Sequence, residues 1–165
     1  MTVIRPCGPD DVDAVLAIIN QASLAYRDAI PADLWQEPYM SAADLAAEIA
    51  AGVQFWGYQA EDGLAGAMGL QRMHDLDLIR HAYVRPGGQR RGTGGALVEH
   101  LRRQSRRRML IATWAAASWA LKFYRRHGFD PVPSIRRVEL LRAYWTMSEH
   151  RAAASVVLAN PPFAS

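Results

Sequence analysis

The chain has 165 residues, half of them hydrophobic and 21% charged, with a formal net charge of +3. This length and composition suit one water-soluble domain with a single core. No segment reaches the roughly 18 uninterrupted apolar residues of a membrane span, and the N-terminus lacks the layout of a signal peptide. The lone cysteine, Cys7, excludes a disulfide framework. We therefore expect a single cytoplasmic domain over residues 1–165.

The residue pattern of the first half of the chain predicts two helices and four strands. Apolar residues at helical spacing indicate the helices, and two strand-like runs around the turn Glu-Asp-Gly indicate a hairpin. Asp10 is the expected N-cap of the first helix, and Ser41 with Asp44 has the form of a capping box for the second. The expected elements are a strand over 2–7, a helix ending at Ile30, a helix stopping at Gly52, and strands over 53–60, 64–73 and 76–84.

The second half predicts an alternation of helices and strands. The expected elements are a helix from near Gly92 to about Arg107, a strand over 109–114, helices over 118–129 and 136–145, and a strand over 154–159. Three consecutive strands followed by this alternation indicate an α+β or mixed-sheet domain with one crossover after residue 84.

A glycine-rich segment, PGGQRRGTGGA at residues 86–96, joins the third consecutive strand to the next helix. The first N–H groups of a helix have no intrahelical partners and lie at the positive end of its dipole, so such a site binds phosphate. Gly92, Gly94 and Gly95 would let phosphate oxygens reach these amides, and Arg90 and Arg91 would neutralise charge. The alternative is a glycine-rich turn with two solvated arginines.

Three segments resemble one family, the GNAT superfamily of N-acetyltransferases. The run from Gln89 to Gly94 is similar to its Q/R-x-x-G-x-G/A signature, and AYVRP at residues 82–86 is similar to the end of one of its strands. The segment from Ala120 to Phe129 follows its A-x-x-F-Y-x-x-x-G-F pattern. The resemblance implies a mixed, mostly antiparallel central sheet flanked by helices, with a splayed strand pair that holds coenzyme A.

The resemblance also implies where acetyl-coenzyme A binds. Its pantetheine arm would lie along the backbone of Ala82, Tyr83 and Val84, and the Val84 N–H would donate to the acetyl carbonyl as an oxyanion hole. The family often has an asparagine where this chain has Ala117. The neighbouring Ser118 either replaces its hydrogen bond or caps the helix. The residues matched to pyrophosphate binding are Gln89, Arg90, Arg91, Gly92, Thr93, Gly94 and Gly95.

Tyr124 matches the family's general acid, which protonates the departing thiolate; the alternative is a core aromatic residue. A general base is also expected, because an alkyl amine of pKa about 10.4 is mostly protonated at pH 7. Histidine is the residue type whose ordinary pKa suits this role, and His81 shares a strand face with Asp77; the alternative is a buried or hydrogen-bonded strand histidine. The adjacent His74 and Asp75 make no metal site, so no metal is expected.

Two further segments have alternative interpretations. The basic run at 102–108 is either a patch for nucleic acid or an acidic partner, or the solvated face of an amphipathic helix; it lacks interleaved aromatic residues, and we expect no nucleic-acid partner. Residues 134–150 exceed what a hairpin needs. We expect them to form a helical insertion, atypical of the family, that covers the acceptor site or makes a homodimer contact.

Three classes of function stay open. The first is an N-acetyltransferase that moves an acetyl group from acetyl-coenzyme A to the primary amine of a small molecule by direct attack. The second is a protein N-terminal or lysine acetyltransferase, and the third is a non-catalytic module that binds coenzyme A. Tyr124 favours catalysis, and the insertion at 134–150 favours a closed pocket, so the first class is the prediction. No membrane partner is expected.

Overall fold

The computed structural model describes residues 3–87 and 91–164, which form a sheet with helices on both faces. The strands are β1 (Val3–Pro6), β2 (Val53–Ala60), β3 (Gly63–Arg72), β4 (Asp77–Val84), β5 (Met109–Trp114), β6 (Asp130–Pro131) and β7 (Ser155–Asn160). The α-helices are α1 (Val12–Ala22), α2 (Ala42–Ala50), α3 (Thr93–Gln104), α4 (Ser118–Arg126), α5 (Ser134–Tyr144) and α6 (Glu149–Ala153). Short 3₁₀ turns, Pro9–Asp11 and Ser23–Tyr26, flank α1.

The strands form one mixed sheet in the order β1-β2-β3-β4-β5-β7-β6. Every neighbouring pair is antiparallel except β4 and β5, which are parallel because α3 carries the chain across between them. The predicted α+β class and the mostly antiparallel sheet are confirmed.

The parallel strands β4 and β5 separate along their length. Ladder pairs join residues 77–79 of β4 to residues 109–111 of β5, whereas the strands continue to Val84 and Trp114. A β-bulge lies where they part: His81 and Ala82 together oppose the single residue Met68 of β3. His81 has a φ of +53°, in the left-handed region. A bulge bends its strand and increases the local twist, so the bulge in β4 accounts for the separation of β4 from β5.

Side chains alternate between the two faces of the sheet and build separate cores. Ile79 packs with Leu97 of α3 on one face, whereas Leu78 and Leu110 pack with Leu141 of α5 on the other. A third cluster joins α1 and α2 to β2 and β3. The sheet therefore has α3 and α4 on one face and α1, α2 and α5 on the opposite face.

The start of the first helix differs from the prediction. A 3₁₀ turn precedes α1, and Asp10 is not its N-cap. The carboxylate of Asp11 stabilises this turn instead: it accepts hydrogen bonds from the Gly8 N–H at 2.8 Å and from two nitrogens of Arg5 at 2.9 Å. A bidentate pair with arginine thus ties β1 to the beginning of α1.

Other boundaries differ where local hydrogen bonds compete with the regular pattern. α1 ends at Ala22 rather than at Ile30, and the Ser23 hydroxyl donates to the Asn20 carbonyl at 3.1 Å, a bond that competes with helix continuation. The short elements β6 and α6 were not predicted, because they are too short to show a periodic pattern. Within residues 3–87 and 91–164, no helix is long and apolar enough to cross a membrane.

The Asp11 carboxylate is expected to stabilise the fold in a pH-dependent way. Its hydrogen bonds with Arg5 and Gly8 lower the pKa of Asp11 from 3.8 to about 2. A lowered pKa contributes stability that is present above the unfolded value and is lost as the pH falls through the folded value. Because Arg5 is partly exposed, Asp11→Asn should lower the free energy of unfolding by only about 1 kcal/mol at pH 7, and this difference should shrink between pH 4 and pH 2.

Denaturant unfolding of both proteins across this pH range measures the effect. Asp10→Asn is the matched control, since it removes a neighbouring exposed carboxylate and should leave stability nearly unchanged. Equal losses in both variants would mean that net charge, rather than the pair with Arg5, determines the result.

Candidate active site

A cavity of about 730 Å³ occupies the gap between the separated ends of β4 and β5. Its other walls come from residues 33–40, from α2 and α4, and from the segment that connects α5 to α6. Because the gap interrupts the sheet, side chains from both faces of the sheet reach the same cavity.

Tyr124 reaches the cavity from α4. The ring is 4% exposed and packs edge-on against Phe123 and Phe129, with ring centres 5.1 and 6.1 Å apart. Burial, and then the neighbouring Tyr26, raise the pKa of Tyr124 well above its usual value. The phenol therefore keeps its proton at neutral pH. Tyr124 is a core aromatic residue that also presents a proton donor at the cavity wall.

His81 reaches the cavity from the opposite face of the sheet. The bulge interrupts the alternation of β4, so His81 lies on the α2 face, stacked against Phe55 with ring centres 6.3 Å apart. Its Nε2 is hydrogen-bonded to Oε2 of Glu48 in α2. Burial opposes the charged form of Glu48, but the hydrogen bond with His81 and the charges of His81 and Arg80 outweigh it and lower the pKa of this carboxyl. An imidazole and a carboxylate thus lie together at the cavity wall.

The expectation that Asp77 shares a strand face with His81 is wrong. Asp77 is fully buried at the other end of β4, where it accepts from the Arg107 guanidinium at 2.5 Å and from the Ser105 hydroxyl at 2.6 Å. The bulge between the two positions breaks the period of two on which the expectation depended. Glu48, the hydrogen-bond partner of His81, was not identified from the sequence, because no sequence pattern connects a residue of α2 to one of β4.

The backbone of β4 directs the Val84 N–H away from β3. The next residue, Arg85, donates its N–H to the Ala65 carbonyl across the sheet at 2.8 Å. Since successive N–H groups of a strand point to opposite sides, the N–H of Val84 points toward the side on which β5 has separated. Ala82 and Tyr83 line the cavity directly.

The N-terminus of α3 has the open geometry expected of an anion site. Gly92 is its N-cap, with a φ of +79°, and no atom of residues 3–87 or 91–164 lies within 4 Å of the place where a Cβ would be. Arg91 is exposed, whereas Thr93 is 3% exposed and packs inward. The predicted contacts of Gln89 and Arg90 lie outside the described residues.

Gly94 and Gly95 allow α3 and α4 to pack closely. A Cβ at Gly94 would lie 3.2 Å from the ring of Phe123, and one at Gly95 would lie 3.0 Å from the ring of His127. The two glycines therefore let α3 and α4 approach closely. The predicted access of phosphate oxygens to the amides of Gly92, Gly94 and Gly95 stays a prediction.

Ser118 does not cap α4. The N-cap is Ala117, with no side-chain hydrogen bond, and Ser118 is the first, exposed residue of the helix. The capping alternative is wrong, and a contact between Ser118 and coenzyme A stays a prediction.

The basic run at 102–108 is partly structural. Arg107 binds Asp77 and also donates to the Met73 and His74 carbonyls at 2.7 and 3.0 Å. Arg102 pairs with Glu99 at 3.0 Å on the surface of α3. Within residues 3–87 and 91–164, no group of three or more histidine, cysteine, aspartate or glutamate side chains is arranged to hold a metal.

The segment after α5 forms one wall of the cavity. Leu141 is 1% exposed and anchors α5 on the sheet, so that residues 145–148 extend over the separated ends of β4 and β5. His150 at the start of α6 is hydrogen-bonded to Asp33 at 2.7 Å. This contact joins two segments that are distant in sequence.

Comparison with known proteins connects this arrangement to one family. Residues 51–131 match the family model described as an acetyltransferase (GNAT) domain. The structure of PaiA N-acetyltransferase from Thermoplasma acidophilum, in complex with coenzyme A, is similar with a TM-score of 0.69 and 15% identity, covering 96% of this chain and 98% of that one. The ribosomal-protein-S18-alanine N-acetyltransferase from Escherichia coli has a TM-score of 0.67 and 18% identity, covering 96% and 92%. A GNAT-family acetyltransferase from Staphylococcus aureus Mu50 has a TM-score of 0.66 and 15% identity, covering 96% and 98%. No curated protein matches the sequence significantly.

These matches confirm the resemblance carried by the sequence motifs: residues 51–131, about half of the chain, match the GNAT acetyltransferase domain, and the fold is similar to that of solved GNAT structures. The matched range 51–131 runs from β2 to β6, so it contains the β4–β5 gap, the N-terminus of α3 and Tyr124. The other walls of the cavity, from α2, residues 33–40 and the α5–α6 segment, lie outside it.

The close contact between α3 and α4 predicts a stability effect. Gly94→Val should lower the free energy of unfolding by about 1–3 kcal/mol, because the added methyl groups would collide with Phe123. Arg103→Val, at an exposed position of the same helix, is the control and should change stability by less than about 0.5 kcal/mol. If thermal or denaturant unfolding shows no difference between the variants, Gly94 is not a packing residue.

Proposed function

We propose that this chain is an acetyl-coenzyme A-dependent N-acetyltransferase that acetylates the primary amine of a small molecule by direct attack. One observation carries the proposal: the cavity in the β4–β5 gap has the Tyr124 phenol on one face of the sheet and the His81–Glu48 pair on the other. Acetyl transfer to an amine is helped by a proton acceptor beside the amine and a proton donor beside the leaving sulfur, and the two sides of this gap offer one of each.

The residues present fit acetyl-coenzyme A as the second substrate. At Gly92, just before the first amides of α3, no described residue fills the place of a side chain, and the exposed Arg91 supplies positive charge for a pyrophosphate. The separated edge of β4, at Ala82 to Val84, offers backbone groups to an extended pantetheine arm. That a solved relative in fold, the PaiA enzyme, binds coenzyme A also supports this assignment.

The acceptor amine must lose a proton to react. An amine of pKa about 10.4 is neutral in only about one part in 2,500 at pH 7, a handicap of about 4.6 kcal/mol. In the proposal, the His81–Glu48 pair takes this proton, directly or through water, and the lowered pKa of Glu48 keeps its carboxylate charged to stabilise the resulting imidazolium. The free nitrogen lone pair then attacks the acetyl carbonyl carbon.

The remaining two roles fall to Val84 and Tyr124. Negative charge develops on the carbonyl oxygen during attack, and the Val84 N–H stabilises it as a fixed donor. When the carbon–sulfur bond breaks, Tyr124 gives its proton to the leaving sulfur, and the second proton that the nitrogen loses as the amide forms restores the phenol. Because its raised pKa makes Tyr124 a weak acid, the residue contributes to catalysis by holding a proton close to the sulfur at neutral pH.

A bounded cavity supports a small molecule as the acceptor. Residues 145–148 close one side, and the contact between His150 and Asp33 joins that wall to the opposite segment. A peptide acceptor would need an open groove across this end. An acetyl-transfer screen, read as free thiol release, against small amines and against peptides with free N-termini or lysines tests this. Faster acetylation of peptides would support the protein-acetyltransferase alternative, and no thiol release in the presence of coenzyme A binding would support a non-catalytic module.

Tyr124→Phe is expected to lower kcat by on the order of 10²–10⁴, because proton delivery to the leaving sulfur is lost. The ring packing stays intact, so the unfolding midpoint and the affinity for acetyl-coenzyme A should hardly change. Steady-state kinetics and calorimetry measure the three quantities. A fall in kcat below about threefold would leave Tyr124 as a packing residue and assign proton delivery to water.

Arg91→Glu is expected to weaken acetyl-coenzyme A binding by on the order of 10- to 100-fold, because it replaces a charge-assisted contact with repulsion. An acidic residue near the N-terminus of α3 favours the helix dipole, so the fold should be retained. Arg103→Glu, at the other end of α3, is the control in calorimetry. Equal affinities of Arg91→Glu and the unsubstituted protein would remove this helix end from the cosubstrate site.

A further inference from the structure

Arg80 lies directly beside His81 in β4, and the bulge gives both side chains the same face of the sheet and the same cavity. Its guanidinium is held in a defined orientation. Nε donates to the Gln71 side chain at 2.7 Å, Nη2 donates to the Tyr144 carbonyl at 2.8 Å, and the group lies 5.8 Å from the centre of the Trp145 ring.

The charge of Arg80 is not balanced by a bonded carboxylate within the described residues. Both of its hydrogen-bond acceptors are neutral. Burial lowers the pKa of Arg80, and Glu48, whose own hydrogen bond goes to His81, offsets this only in part. A half-buried cation with neutral partners is costly unless an anion binds beside it. The cavity wall therefore has a fixed, oriented cation that suits a planar anionic group.

The other charged groups of the cavity favour the same ligand chemistry. Arg151 of α6 adds a second cation, 5.1 Å from the centre of the Trp114 ring. Two of the three acidic side chains are already paired, Asp33 with His150 and Glu48 with His81. The third, Asp44, is exposed in the first turn of α2.

We propose that the acceptor is a small amino carboxylate: its carboxylate binds Arg80, with Arg151 as the second cation, while its amine lies at the His81–Glu48 pair. This rests on the proposed function, because it identifies the acceptor of that same site. Adjacent residues of one strand hold the two ends of the substrate, so the amine and the carboxylate are separated by a short chain. Arg80 is a specificity-determining residue, and it takes no part in proton transfer.

The first test compares acceptors that differ only in charge. Glycine, β-alanine, γ-aminobutyrate, L-glutamate and L-phenylalanine are each assayed beside the corresponding carboxamide, with acetyl-coenzyme A at saturation. For the best pair, kcat/KM should be at least about tenfold higher for the carboxylate. The comparison is conservative, since the amine of a carboxamide is less basic and more of it is neutral. Acetylation of amines with no preference for any carboxylate would overturn the inference and leave the proposed function standing.

The second test assigns the preference to Arg80. Arg80→Gln should raise KM for the amino carboxylate by about 10- to 100-fold and change KM for its carboxamide by less than about threefold. Arg80→Lys keeps the charge and should retain part of the preference. Arg142→Gln removes an arginine that is 71% exposed on α5 and is the matched control.

Equal losses for the carboxylate and the carboxamide in Arg80→Gln would mean that Arg80 only supports the Tyr144–Trp145 segment, and this would contradict the inference. Calorimetry with the amino carboxylate gives a readout that does not depend on turnover: it should bind the unsubstituted protein and lose affinity in Arg80→Gln. If no amine of any kind is acetylated although acetyl-coenzyme A binds, the proposed function fails, and the inference fails with it.

Discussion

The candidate site depends on the point at which β4 leaves its parallel neighbour. After the pairs that join residues 77–79 to 109–111, the two strands separate and a cavity takes the place of the ladder. The bulge at His81 puts a non-glycine residue at a φ of +53°, a conformation that costs on the order of 1–3 kcal/mol. Contacts with Glu48 and Phe55 hold the residue there. One extra residue in one strand thus opens the sheet and turns two neighbouring side chains, Arg80 and His81, into the same space.

The cavity is built from two parts of the chain, one inside and one outside the range that matches the GNAT model. The range that matches the GNAT model contains the splayed strands, the start of α3 and Tyr124. The walls outside that range come from α2, from residues 33–40 and from the segment after α5. The family motifs all lie near or inside the matched range, so the sequence indicated the family. The proposed acceptor contacts were not evident, because they combine Arg80 and His81 of β4 with side chains from outside that range.

Most of the fold could be predicted because its signals are local. Periodicity and turn residues located β2, β3, β5 and α4 to within a few residues, and the family motifs indicated the glycine loop, Tyr124 and the splayed pair. Features that depend on contacts between distant segments were wrong or missed. Asp77 was selected by a period of two that the bulge interrupts, and Glu48 is brought to His81 only by the packing of α2 on the sheet. The close approach of the Phe123 ring to Gly94 was also missed, because the packing of α4 on α3 leaves no pattern along the chain.

The contact of α3 with α4 through Gly94 and Gly95 has a mechanical consequence. Aromatic rings of one helix touch the backbone of the other with no side chain between them, so neither helix slides or rotates against the other without a collision. The packing therefore couples the position of the first amides of α3 to that of the Tyr124 ring. The same contact sets the spacing between the helix end that would hold a pyrophosphate and the phenol that would protonate the sulfur at the far end of the same molecule.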